Sequence, residues 1–147
     1  MGRSESAADA PRKKRVGVIG TFVWDVIHGR DPRQRPVEEW GGITYALSGL
    51  DAALPEDWEI VPIMKVGADL SARAREFLHT LRRIAPDAAL VEVPYPNQRV
   101  ELRYVDDERR TERLSNGMPG WTWPALHPLV ATAQLDALYV NFLSGWE

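Results

Sequence analysis

The sequence contains no cysteine, which excludes disulfides, thiol nucleophiles and cysteine-ligated metals. No apolar run approaches the roughly 18 residues needed to cross a bilayer as a helix, so no membrane partner is expected. Positive charge is not in excess. Lys and Arg number 18 against 21 Asp and Glu, a net charge of −3, which leaves no general attraction for nucleic acid. His28, His79 and His127 are scattered without ligand spacing, so no metal site is predicted. Neither G-x-x-x-x-G-K-[ST] nor G-x-S-x-G occurs, which removes a P-loop and a nucleophile elbow. Several acids are present, but nothing in their spacing pairs them for glycoside hydrolysis.

What is present is an ordinary globular composition, 44% hydrophobic and 27% charged over 147 residues, enough for one domain with a real core. Residues 1–14 read as a disordered tail, small and polar from Met1 to Pro11. Arg12, Lys13, Lys14 and Arg15 read as a solvated lead-in to the first strand rather than a nucleic-acid patch. They could mimic the start of a signal peptide. But Thr21 and Asp25 interrupt the apolar run that follows, and no small-residue cleavage site comes after it. A cytoplasmic protein is therefore expected.

From Arg15 onward strands and helices alternate. Arg15 to Trp24 is a continuous apolar run, as in a strand buried on both faces of a parallel sheet. Gly41-Gly42 opens a helix whose apolar stripe is Ile43, Ala46, Leu47, Leu50, Ala53 and Leu54, ended by Pro55. Trp58 to Val66 is the next strand, with Pro62 best met at an edge or a bulge. Asp69 or Ser71 can cap a second helix that buries Leu70, Ala74, Phe77, Leu78, Leu81 and Ile84. Ala88 to Val93 is a third strand. The period then becomes two. Val100, Leu102 and Tyr104 alternate with Arg99, Glu101 and Arg103, and Arg109 to Leu114 can return as an antiparallel partner. Thr122 can cap a third helix with Pro124 in its first turn and Leu126, Leu129 and Val130 inward. Asp136 to Phe142 reads as a fourth buried strand, with Ser144-Gly145 past its end and Trp146-Glu147 opening another element. An open α/β sheet needs helices on both faces. The last strand has no following crossover, so the chain reads as the front of a longer fold.

Two segments invite chemistry. Asp25 follows the first apolar strand, at the carboxyl edge where open α/β sheets bind ligands. A carboxylate there can accept hydrogen bonds from ligand hydroxyls, or can simply cap a turn. Gly41-Gly42 at a helix N-terminus leaves N–H groups free and admits a ligand to the backbone, or serves a turn that needs positive φ. A dinucleotide site is disfavoured, because Gly17 and Gly20 lie within the strand at the wrong spacing and no helix follows at once.

Four ordered segments together resemble the PfkB/ribokinase-type carbohydrate kinase family, from about Val16 to the last residue. They are Val16 to Asp25, Gly41-Gly42 with the Ile43 to Leu54 helix, Val66-Gly67-Ala68-Asp69, and the Arg99 to Leu114 hairpin followed by Asp136 to Asn141. The resemblance implies an α/β, ribokinase-like fold: a mostly parallel sheet flanked by helices, with an inserted antiparallel β lid, and incomplete at the C-terminus. Residues 15–147 would be its N-terminal part, with lid segments at about 36–41 and 98–115. The implied function is the substrate-binding half of an ATP-dependent carbohydrate or nucleoside kinase. Asp25, Gly41, Gly42 and Asn141 would contact the acceptor, and the lid could form a homodimer surface. ATP and Mg²⁺ are implied for the complete protein. No catalytic residue is expected in this chain, because the family's G-A-G-D-like motif, with its catalytic Asp and anion hole, belongs to the other half. The chain alone is therefore expected to be inactive. Three positions depart from the family pattern: Ala46 where an Asn is usual, Val23 where a polar residue is usual, and Leu143 where ribokinase-like members place an acid. A non-catalytic sugar-binding or dimerisation module derived from the same fold is the alternative, and an unrelated Rossmann-like enzyme is a third reading.

Overall fold

The computed structural model of the chain describes residues 11–141. Ten residues of the expected tail, the end of the expected fourth strand at Phe142, Leu143, and the Ser144-Gly145 and Trp146-Glu147 segments lie outside them. The described elements are seven strands and three helices: β1 (Lys14–His28), β2 (Val37–Gly42), α1 (Ile43–Ala53), β3 (Trp58–Gly67), α2 (Ser71–His79), β4 (Ala89–Val93), β5 (Arg99–Tyr104), β6 (Arg110–Ser115), α3 (Trp123–Thr132) and β7 (Ala137–Val140). Four of the six strand pairings are parallel; β1–β2 and β5–β6 are antiparallel.

β1 organises the fold by changing partners along its length. Lys14 to Thr21 pairs with β3, and Val16 to Ile19 also pairs with β7 on the opposite edge. β4 extends this parallel sheet beyond β3. From Phe22 to Ile27 the strand pairs instead with β2, and from Trp24 to His28 with β5 on the other edge, to which β6 adds. One strand thus passes from a parallel sheet into a second, mixed sheet. The expected strand ended at Trp24; the observed one runs to His28, because β2 and β5 satisfy its backbone beyond the first sheet.

Side chains alternate across a strand, and β1 shows it in the core. Val16, Val18, Phe22 and Trp24 pack against Ile43 and Leu47 of α1, Ala74 and Leu78 of α2, and Ile60, Met64 and Val66 of β3. On the other face, Ile19 packs with Val61, Ile63, Trp121 and Leu126. Burying each of these larger side chains contributes about 1.5–3 kcal/mol. Trp40 stands against Phe22 and Trp24 at ring separations of 5.0 and 4.9 Å, so β2 is held by aromatic contact as well as by its ladder.

Several expectations need correction. Pro62 is fully buried in β3 and paired opposite Val18, at neither an edge nor a bulge. The N–H of Ile60 points to Arg83, so position 62 faces the same side. There it meets the gap between the Ile60–Ile84 bridge and the first β4 pair at Ile63, where no donor is needed. Asp69 and Ser71 do not cap α2; Leu70 holds the N-cap position, and Asp69 is engaged elsewhere. Thr122 is the N-cap residue of α3 but gives no side-chain cap bond. Leu81 and Ile84 reach the core from beyond the end of α2. β7 is exposed along its described length rather than buried, and β1 is its only pairing strand among the described residues.

Candidate functional site

β7 and β2 both end near one point on the same edge of β1. Val140 is the partner of Ile19, and Gly42 is the partner of Phe22. The site lies at this junction, beyond the carboxyl ends of the parallel strands, where ligands of open α/β sheets collect. α1 starts there at Ile43.

Asp25 sits within β1, between Glu39 of β2 and Val100 of β5. Its carboxylate lies directly over Gly41. A Cβ at position 41 would stand 2.5 Å from Asp25 Cγ and 2.7 Å from Oδ1, so any larger residue there would displace the acid from this position. Gly42 is glycine for a different reason. It turns the chain from β2 into α1 at φ 59°, ψ −115°, a region closed to side chains with a Cβ. The Thr44 hydroxyl donates to the Gly41 carbonyl at 3.2 Å and closes the turn.

No described residue donates a hydrogen bond to the Asp25 carboxylate. Burial raises its pKa above the ordinary aspartate value; the charges of Glu39 and Glu112 add to this, and Arg110 opposes it. A partly desolvated carboxylate with open acceptor sites can bind ligand hydroxyls through both oxygens. Tyr45 stands beside it on α1, 63% exposed, with its hydroxyl 3.4 Å from Glu39 Oε1.

Of the four residues singled out in the sequence, Asp25, Gly41 and Gly42 come together. Asn141 lies at the end of β7, its N–H donating to Ile19 O at 3.1 Å. It is opposite Gly20, where the Ile43 side chain also approaches β1. Along the edge of β1 it is two residues, ~7 Å, below Gly42. It therefore borders the α1 N-terminus and not Asp25 itself.

The roots of the β5–β6 hairpin are fixed by residues the sequence did not flag. Asn97 is fully buried where β1 exchanges β3 for β5. Its Oδ1 accepts from Gly67 N–H at 2.8 Å, and its Nδ2 donates to the carbonyls of Phe22 and Gln98 at 3.0 Å each. Asp69 accepts from Asn97 N–H at 2.7 Å and pairs with Arg99 at 2.9 Å. Burial works against the ionised Asp69, but these partners hold its pKa below the ordinary value. Gly67 has no space for a Cβ because the Asn97 backbone lies against it. At the other root, Lys65 donates to the carbonyls of Pro119 and Gly120 at 3.0 and 2.6 Å and stands 4.7 Å from the Trp121 ring centroid. Burial lowers its pKa. A lone cation inside the apolar run Val61 to Val66 is a signal for Lys65. Asn97, in a polar stretch after Pro96, carries none.

No protein-family model and no curated protein matches the sequence. Solved structures do share its fold. A pyrophosphate-dependent kinase in the ribokinase family, solved as a sulfate complex, superposes with a TM-score of 0.63 at 18% identity, covering 87% of this chain and 41% of its own. Ribokinase from Cryptococcus neoformans var. grubii serotype A, in complex with ADP, gives 0.60 at 14% identity, covering 87% and 41%. The nucleoside kinase of Methanocaldococcus jannaschii, an archaeal member of the ribokinase family, gives 0.56 at 10% identity, covering 88% and 44%. The fold is ribokinase-like, and the chain spans about two fifths of the length of these neighbours.

Proposed function

We propose that this chain is the acceptor-binding part of a cytoplasmic, ribokinase-type carbohydrate or nucleoside kinase. Residues 15–147 would be the N-terminal part of its α/β domain, with residues 36–41 and 98–115 as the lid over the acceptor. The observation that carries this reading is the Asp25 carboxylate, seated on Gly41 at the sheet edge and accepting no hydrogen bond from the described residues. In this role Asp25 binds acceptor hydroxyls, Gly41 keeps the space in which it does so, Gly42 sets the start of α1, and Asn141 adds a polar contact at the lower border. The exposed apolar residues Val37 and Leu114 of the second sheet support a lid that also pairs with a second copy.

Phosphoryl transfer from ATP with Mg²⁺ belongs to the complete protein. Among the described residues no group of three His, Asp or Glu side chains could hold a metal ion, so no Mg²⁺ site is assigned to them and no step through the donor is derived. No helix among them is long and apolar enough to cross a membrane. The test is calorimetric titration of the chain with ribose, myo-inositol and adenosine, for the wild type and Asp25→Asn. Binding of at least one, lost in Asp25→Asn without loss of the fold, is expected. Binding of none, or binding indifferent to Asp25→Asn, removes the acceptor-site reading. A chain that binds a polyol but transfers phosphate neither alone nor joined to the rest of the fold is the non-catalytic module instead.

A further inference from the structure

From the same site, and resting on that reading, we infer that Glu39 and Tyr45 select the acceptor class: an uncharged, hydroxyl-rich ring that stacks on Tyr45, with phosphorylated acceptors excluded by Glu39. Alternation and register place the charges. Asp25, Glu39, Glu112 and Arg110 project from one face of the second sheet, since Asp25 is the cross-strand partner of Glu39 and Val100, Val100 of Leu114, Leu102 of Glu112, and Tyr104 of Arg110. Three carboxylates and one guanidinium leave this face at about −2. Arg110 is already paired with Glu112 at 2.7 Å. Lys65, beside Thr21 on the same side of β1, is tied to the Pro119 and Gly120 carbonyls. Neither of these two cations is thus left free to receive a phosphate. A phosphate ester brought beside Asp25 would meet two like charges, one of them on the exposed Glu39, and salt weakens repulsion between such partly exposed charges.

Tyr45 supplies the positive half of the selection. It is exposed and makes no ring contact with another aromatic side chain among the described residues. Its hydroxyl points at Glu39, and the charges of Glu39 and then Asp25 both raise its pKa, with burial between them in weight. An unpacked aromatic face beside a hydrogen-bonding carboxylate suits a ring with an apolar face and a hydroxyl rim. An acidic pair without such a platform would bind hydroxyls without orienting them.

The experiment compares matched pairs by calorimetry on the chain: ribose with ribose 5-phosphate, myo-inositol with its 1-phosphate, and adenosine with AMP. The variants are Glu39→Lys, Tyr45→Ala and Tyr45→Phe. Both positions are exposed, and thermal melting checks that each variant folds. The parent compound should bind at least about tenfold tighter than its ester at low salt, with the ratio shrinking as salt rises. Glu39→Lys should narrow the ratio by about tenfold or more. Tyr45→Ala should weaken the parent compound about tenfold, and Tyr45→Phe should restore it. Esters binding as well as their parents, or a ratio unmoved by Glu39→Lys, overturns the inference and leaves the acceptor site standing. Binding of neither member of any pair overturns the acceptor-site reading itself, and the inference with it.

Discussion

Adjacent glycines with different duties give a sharp test. At Gly42 the backbone conformation, φ 59° and ψ −115°, costs a residue with a Cβ about 1–3 kcal/mol. Gly42→Ala should therefore lower stability by that amount, a fall of roughly 3–12 °C in melting temperature for a chain of this size. At Gly41 φ is not positive, so alanine meets no backbone strain and reduces the entropy of the unfolded chain by about 0.4–1 kcal/mol. The methyl group instead overlaps the Asp25 carboxylate. That carboxylate accepts no hydrogen bond from the described residues, so it can swing away at about 0.5–1.5 kcal/mol of rotamer cost. These terms nearly cancel, and Gly41→Ala should melt within a few degrees of the wild type. Its ligand binding should nevertheless fall about 10- to 150-fold, the loss of one charge-assisted hydrogen bond of about 1.5–3 kcal/mol. Differential scanning calorimetry and ligand titration on both variants separate the two effects. A Gly41→Ala chain that binds polyols like the wild type, or a Gly42→Ala chain that melts like it, would refute the reasoning.

Further outcomes follow from the charges and the hairpin roots. Because the folded pKa of Asp25 is raised by burial and by Glu39, ionising it disfavours the fold. The penalty is complete above the raised value and absent below the ordinary aspartate range near about 4. Asp25→Asn should therefore raise the melting temperature at pH 7, with the gain vanishing toward pH 4; a lower melting temperature at pH 7 would contradict this. Asp69 has the opposite sign. Its depressed pKa contributes stability above the ordinary aspartate value that is lost as pH falls through the folded one. Asp69→Asn should thus destabilise at neutral pH and converge with the wild type in acid. Asn97→Ala leaves Gly67 N–H and Phe22 O unpaired in the interior, and should cost roughly 2–5 kcal/mol in urea unfolding. Lys65→Met strands the carbonyls of Pro119 and Gly120, so the 116–120 loop should become the first site of limited proteolysis. Cleavage unchanged in rate and place would show that Lys65 does not hold it.

The strands and helices were legible wherever one face decides the pattern. The alternation of Val100, Leu102 and Tyr104 announced β5 because one side of the hairpin is wet, and the stripe from Ile43 to Leu54 announced α1. The same logic located Asp25, since an acid after a two-sided apolar run stands where a parallel sheet stops. The change of partners along β1 was not legible. Its continuation past Trp24 depends on β2 and β5, not on its own residues. Asn97 escaped for a related reason: it acts on Phe22, 75 residues away, and a polar residue in a polar stretch gives no sign that it is buried. Glu39 gains meaning only from register, which puts it across from Asp25, and Tyr45 only from the reach of its hydroxyl to Glu39. Pro62 misled because a proline in a central strand is normally refused; the gap before β4 that admits it is a property of the fold.

Separating the residues that hold the fold from those that face the ligand changes what each motif argues. Gly67 and Asp69 belong to a segment that looks like a binding signature, yet their partners are Asn97 and Arg99, and their work is to fasten the hairpin where β1 changes sheets. Gly42 likewise serves the chain path. In this chain these residues serve the path of the backbone whether or not it binds a sugar, so their presence argues for the fold alone. Gly41 is different. Its backbone conformation does not demand glycine, and the contact that does demand it is with the carboxylate of Asp25. A fold-holding constraint on position 41 would disappear if Asp25 were replaced by a smaller residue; a ligand-holding one would make the pair change together. Asp25→Ala combined with Gly41→Ala should accordingly be as stable as the wild type within about 1 kcal/mol, while binding no polyol. If the double variant unfolds instead, the pair is structural and the site is not where Asp25 points.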